Sequence, residues 1–421
     1  MGDTAWVLIS AALVFLMTPG LGFFYGGMVR TRHVVSTIYQ AFISVGVAGL
    51  AWALIGYSLA FSGDTGGLIG DLHQVMLINV GQDLKNGIPH AAFMLFQGMF
   101  AVIAPALIIG AFAERVNFKA WLLILFFWSI LVYSPVCHWV WGEGGWIAKE
   151  GGLDFAGGLV VHTTAGVSAL VCALTFGRRQ DFGVAKEHPY DTGFVVMGTG
   201  LLWFGWFGFN GGSALAANGL AAYACANTFF AASAAMVGWT IVDWIRNGKP
   251  SALGSCIGAV VGLVAITPAA GFVAIHWAIV IGFSCAIICN LLAHSFRHLL
   301  KLDDTLDVFA CHGIGGILGS LMTGIFCSTT INPNGANGLI YGNVAPLLAN
   351  LKGVVVVAAY SMAATYVILK VVNTLTPIRV SYEVESRGLD AAQHDEIINA
   401  NMAMKYGRKE ASEIGTREED K

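Results

Sequence analysis

Apolar runs long enough to cross a lipid bilayer recur almost from end to end of this chain, and they limit what it can fold into more than any other feature. At 1.5 Å per helical residue, a 30 Å hydrocarbon layer takes about 20 residues. Runs of that kind fall at roughly 5–28, 34–61, 89–113, 120–138, 154–176, 192–211, 219–245, 252–271, 273–296, 305–328 and 347–374. Hydrophobic residues make up 56% of the chain and charged residues 11%, with a mean hydropathy of +0.71, which excludes an ordinary soluble domain. The 53 glycines suit helices that approach closely in lipid. The expected fold is all-α, a polytopic membrane protein of eleven transmembrane helices over residues 1–375, followed by a cytoplasmic tail, 376–421.

The connectors set an orientation. One group holds Arg30, Arg32, Arg115, Lys119, Arg178, Arg179, Lys186, Arg246, Lys249, Arg297 and Lys301. The other holds Lys85 and Lys149, with Lys352 near its border. Lys and Arg concentrate on the cytoplasmic side, so the amino terminus is expected outside and the tail from Arg379 inside. No basic stretch precedes the first apolar run, so a cleaved leader is not expected. Eight cysteines stand apart, without a CxxC pair, and read as small buried hydrophobes. No metal, cofactor or nucleic-acid partner is expected.

Two of the runs share a frame. Asp154, His162 and Gly166 are spaced as Asp, seven residues, His, three residues, Gly, and so are Asp304, His312 and Gly316. An odd number of crossings in each half, 5–176 and 192–328, inverts the second relative to the first, leaving the helix at 347–374 outside the repeat. Each Asp reads as a helix start, which would put each His about 12 Å from its own face by helical rise. The imidazoles then meet near the midplane from opposite sides, as in inverted-repeat transporters. A lone membrane histidine more often only bonds a neighbouring carbonyl; the repetition argues for a shared path. Asp154 and Asp304 read first as helix caps, because a carboxylate there meets free N–H groups and the positive dipole end.

The chain resembles the ammonium transporter family (Amt/Mep/Rh), its Amt branch in particular. The matching stretches are Pro19-Gly-Leu-Gly-Phe-Phe-Tyr-Gly-Gly-Met-Val-Arg30, Phe96-Gln-Gly-Met-Phe100, Gly110-Ala-Phe-Ala-Glu-Arg115, Asp154-Phe-Ala-Gly-Gly158, Trp206-Phe-Gly-Phe-Asn-Gly-Gly-Ser213, Ile266-Thr-Pro-Ala-Ala-Gly271 and Asp303-Asp304 through Asp307 to His312-Gly313. Arg387-Gly-Leu-Asp390 resembles the family's tail motif. The resemblance implies a homotrimer with a narrow pore in each subunit. It implies that Trp141, Phe100 and Ser213 form an outer cation site, that Phe100 and Phe209 form the gate beneath it, and that His162 and His312 line the pore beside Trp206. Asp154, Thr267, Asp304 and Asp307 take supporting roles. It further implies a multi-pass protein of the cell's inner (plasma) membrane, with ammonium, ammonia or methylammonium as cargo and a P-II-type regulatory protein or signalling domain as a partner for the tail.

The residue types make chemical sense of that assignment. Ammonium is close to potassium in size, so a plain sieve discriminates poorly. Aromatic faces attract a cation by about 0.5–2 kcal/mol. A hydroxyl such as Ser213 accepts an N–H bond that potassium cannot offer. An apolar passage then opposes any intact ion through its solvation cost, whereas ammonia escapes most of it. Histidine, with an ordinary pKa of about 6.5, can take or relay the proton. Most of the 12 Trp and 26 Phe must nevertheless be core or lipid-facing, and Trp141 could sit in an interfacial belt with Trp139 and Trp146.

Two departures stand out. The loop Trp141-Gly-Glu-Gly-Gly-Trp146 carries Glu143 and is one residue longer before Asp154 than the family's usual spacing, which leaves the pose of Trp141 open. The tail continues past Asp390 through a charged end, so order against the membrane domain is expected to about residue 395, with a linker or signalling helix after it. Two functions follow: an ammonium transporter that deprotonates its cargo, and, as the alternative, an ammonium sensor or transducer that uses the same fold and signals through the tail. Enzyme chemistry is not expected, since Ser213 lacks a partner histidine at matching depth.

Overall fold

The computed structural model describes residues 1–183 and 189–398. Lys186 and the chain beyond 398 lie outside the described residues. In chain order the long helices are α1 (Gly2–Met28), α2 (Thr31–Phe61), α3 (His90–Phe112), α4 (Phe118–Lys149), α5 (Gly158–Phe176), α6 (Thr192–Gly211), α7 (Gly219–Asn247), α8 (Ala252–Ile266), α9 (Ile275–His298), α10 (Phe309–Phe326) and α11 (Ala345–Leu375). Among the described residues, ten of these are long and apolar enough to span a bilayer; α8, at 15 residues, is shorter. It stops before the expected residue 271 because Pro268 has no backbone N–H to continue the helical ladder, and the chain tightens there into i→i+3 turns such as Thr267 to Val264. All eight cysteines are free thiols, and seven are buried.

The core forms where the two halves interleave. Helix α1 packs along α6, α5 crosses α10, and α3 flanks α5 much as α8 flanks α10. Small residues make the crossings close. A Cβ on Gly166 would lie 2.0 Å from the Gly313 nitrogen, and one on Gly316 would lie 2.9 Å from the Gly158 oxygen and from the His162 Cβ. The glycine of the repeated frame is therefore where the two histidine-bearing helices touch.

Helices α5 and α10 begin four residues later than the expected starts at 154 and 305. The Asp154 carboxylate accepts bonds from the amides of Gly157 (2.8 Å), Gly158 (2.7 Å), Leu159 (2.7 Å) and Val160 (3.3 Å), which folds the approach into a turn. Gly157 takes φ +121°, a conformation L side chains rarely adopt. Each Asp thus precedes its helix rather than opening it, and a depth reckoned as unbroken helix from Asp to His overstates the rise. The histidines sit instead in the first, wide π-type turns, Gly158–Thr163 and Phe309–Ile314.

The two ends of the bundle differ in charge. At the Lys/Arg-rich end, Arg179 bonds both Glu114 and Asp303, Glu114 also pairs with Arg30, and Arg115 donates to the Asp303 carbonyl and the Thr305 hydroxyl. Burial alone would raise the carboxyls of Glu114 and Asp303, but the surrounding cations hold both below their ordinary values. The tail packs beneath this end. The Asp390 carboxylate caps α2 by accepting from the Val35 and Ser36 amides, Gln393 brackets Val116 and Phe118, and His394 meets the Ser36 hydroxyl.

Candidate functional site

A column of aromatic rings and imidazoles runs down the middle of the bundle from a recess at the Lys/Arg-poor end. The recess, about 170 Å³, is lined by Trp141 and Ser213 together with Phe61, Phe93, Gln97 and Phe155. Trp141 is held by its indole N–H, which donates to the Asp154 carbonyl at 2.8 Å. The longer loop therefore leaves Trp141 at the recess, whereas Trp146 turns away to pack on Trp139. Ser213 donates its proton to the Phe209 carbonyl at 2.8 Å, so its oxygen lone pairs remain available to an incoming N–H donor. Of the four amides held by Asp154, Gly157 lies in the turn and Gly158, Leu159 and Val160 open α5, so the carboxylate caps that helix and frames the loop behind Trp141.

Phe100 and Phe209 close the floor of the recess. Their ring centroids lie 4.3 Å apart, Phe100 meets Trp141 edge-on at 5.9 Å, and both phenylalanines are buried. Below them, the His162 imidazole stacks on the rings of Trp206 at 5.5 Å and Phe209 at 6.0 Å, and those two rings are tilted against each other at 5.2 Å. The Trp206 indole donates to the Thr267 hydroxyl at 2.9 Å, which locks its plane. His162 and His312 follow, with 3.3 Å between their Nδ1 atoms and 5.4 Å between ring centroids. One shared proton on that contact leaves one Nε2 as an acceptor and the other as a donor. The His162 Nε2 is buried without a hydrogen-bond partner among the described residues. The space around the pair is only about 10 Å³, bounded by the two imidazoles, by the rings of Trp206 and Phe209 and by apolar side chains such as Leu21, Ile103, Leu202 and Val260. That is about the room one water needs.

Asp304 and Asp307 do not join the recess. Asp304 accepts from the Phe309 amide at 2.7 Å at the foot of α10, and Asp307 pairs with Arg297 at 3.1 Å. Burial, with Asp307 nearby, pushes the Asp304 carboxyl up to about 7. Sequence reasoning passed over Phe61, Phe93, Phe155 and Leu215, because large apolar residues on membrane helices look like core wherever they point. Gln97, within the stretch Phe96–Phe100, and Asn86 are the polar residues that join them.

Residues 5–398 match the Ammonium Transporter Family. The ammonium transporter of Bacillus subtilis is 46% identical over 94% of this chain and 98% of its own length, and ammonium transporter Amt1 of Archaeoglobus fulgidus is 45% identical over the same shares. This chain belongs to the ammonium transporter family. Among solved structures it is similar to Candida albicans Mep2, with a TM-score of 0.86 and 38% identity over 91% of this chain and 87% of that one. It is also similar to one described as "Sensor Amt Protein", with a TM-score of 0.87 and 28% identity over 93% and 98%. The protein is thus a multi-pass membrane protein of a family that transports ammonium, and not of an enzyme family.

Proposed function

We propose that this family member carries ammonium across the cell's plasma membrane by shedding its proton on the way. The recess is the outer entrance: Trp141 and Phe100 offer ring faces and Ser213 an oxygen to an N–H cation. Passage then requires the Phe100 and Phe209 rings to swing apart. Beyond them the cargo is ammonia, because an intact ion would lose its water without compensation, and the proton it sheds is taken up and relayed by the His162–His312 pair. The observation that carries this reading is the lumen of about 10 Å³ in which the His162–His312 pair stands among apolar and aromatic side chains. Its shared proton lets it accept from, or donate to, a passing nitrogen.

The Lys/Arg asymmetry supports an outer amino terminus and an inner tail, and the exchange of equivalent helices between residues 5–176 and 192–328 supports an inverted repeat closed by α11, with 376–421 as a separate cytoplasmic tail. Close relatives named as transporters favour transport over sensing; the likeness to the sensor structure keeps ammonium sensing through the tail as the second reading. We further infer a homotrimer whose docked tail, Arg379 to His394, presents a surface for a P-II-type regulator. The test is current and internal pH in proteoliposomes given ammonium, methylammonium or potassium. Wild type should pass the first two and exclude potassium; His162→Ala should lose that discrimination by about tenfold or more, a loss of at least about 1.4 kcal/mol. Unchanged selectivity overturns the deprotonation mechanism, and wild type that shows neither current nor a change of internal pH favours the sensor.

A further inference from the structure

The rim of the recess holds a second cation-sized cage, and the chain fills it with its own side chain. Lys85 lies on the short hairpin of β1 (Leu84–Lys85) and β2 (Ile88–Pro89) between α2 and α3. Its Nζ sits 5.6 Å from the ring centre of Tyr57, 5.8 Å from that of Phe61 and 5.7 Å from that of Phe93. It also donates to the Phe61 carbonyl at 2.6 Å. Three ring faces and a carbonyl around one ammonium make the environment that suits ammonium and its methylated derivatives. The cage is continuous with the recess, since Phe61, Phe93 and the next residue, Asn86, also line the recess. The rings are fixed from behind: Phe61 and Phe93 pack edge-on at 5.0 Å, and the Tyr57 hydroxyl bonds His90 at 2.6 Å.

Resting on the proposed role of the recess, we infer that Lys85 is a tethered cation that fills an accessory ammonium site at the rim and holds down the loading of the recess by free ammonium. Two effects act in the same direction. The lysine ammonium occupies ring faces that a free cation would otherwise use, and its charge repels a second cation entering the adjoining recess. Burial lowers the Lys85 pKa, while Glu143 and Asp83 oppose that shift. With the lysine gone, those same two carboxylates would face an empty cage and favour cation entry. Neither the charge nor the ring contacts take part in the passage itself, so the lysine is a positioning element of affinity and not of the transport step.

The test is the ammonium concentration that gives half-maximal current in proteoliposomes of the full chain. Lys85→Met should lower it by about three- to tenfold while leaving the maximal current within about twofold. Lys85→Arg, which keeps the charge, should stay at the wild-type value. Tetramethylammonium should inhibit Lys85→Met and leave wild type unaffected. Trp141→Leu in the same assay separates the two readings. If it weakens loading while Lys85→Met matches wild type, the role of the lysine is overturned and the recess stands; if neither variant shifts, both fall. An arginine variant that shifts like the methionine one also overturns the charge argument. Should Lys85→Met not assemble, Lys85→Cys can be labelled after purification, where a cationic thiosulfonate restores wild-type loading and a neutral one does not; identical loading with both labels overturns the inference.

Discussion

At the scale of single residues, the least replaceable atoms of this protein include hydrogens. Gly166 and Gly316 let α5 and α10 cross so closely that the histidines four positions before them can share a proton. A methyl on Gly166 would stand 2.0 Å from a backbone nitrogen, where no rotamer change relieves it. Gly166→Ala should therefore cost about 3 kcal/mol or more by forcing the helices apart. The measurement is the thermal midpoint in detergent, and a variant that melts with wild type would remove the close-crossing explanation. The same reasoning explains why His162 and His312 were legible as a pair. Their frame names three jobs at fixed spacing: a turn-forming carboxylate, an imidazole, and a contact glycine. Lys85 was not legible, because a lone lysine in a polar loop carries no sign of the three rings that converge on it.

At the scale of elements, helix ends do more than the spans. Wide first turns in α5 and α10 carry the imidazoles, another such turn, Phe207–Gly211, carries Phe209, and a carboxylate-held turn aims Trp141. The tail is an element of the same kind, since Asp390 caps α2 from far along the chain. Burial, with a contribution from Glu396, pushes the Asp390 carboxyl up to about 6, against the α2 amides that favour the carboxylate. A raised folded value means that docking gains its full contribution below the ordinary value near 3.8 and loses it as pH rises through about 6. Between pH 5 and 7.5 the grip of the tail should weaken by about tenfold. Hydrogen exchange at the Val35 and Ser36 amides, corrected for intrinsic rate, reads this directly. Asp390→Asn should flatten the dependence, and equal protection at both pH values would refute it.

At the scale of the whole molecule, the halves are tied by the helix crossings and by one buried charge cluster at the Lys/Arg-rich end. Asp303 of the second half holds Arg179, in the connector that leaves the first half, and both side chains are almost fully buried. Asp303→Ala leaves Arg179 and Arg115 with less compensation and should cost about 3–5 kcal/mol. Because the Asp303 and Glu114 carboxyls are held below their ordinary values, their contribution is present above about pH 4 and fades only in more acid solution. Wild type should thus keep its melting temperature from pH 7 to 5, and Asp303→Ala should melt lower throughout. A difference confined to acid pH would contradict the cluster's role.

The sequence by itself determined the membrane class, the family and most of the helix count, because bilayer thickness imposes a length and an apolar composition that need no tertiary knowledge. It also identified most residues of the column, through motifs whose spacing survives unfolding. Only the tertiary structure decided where those helices begin, since the bonds that fold residues 154–157 into a turn come from a carboxylate whose reach is not a matter of periodicity. It alone set the 3.3 Å between the imidazoles, the pose of Trp141 after a longer loop, and the caging of Lys85. Each of these depends on groups far apart in the chain meeting within a few ångströms, and no local pattern encodes such a distance.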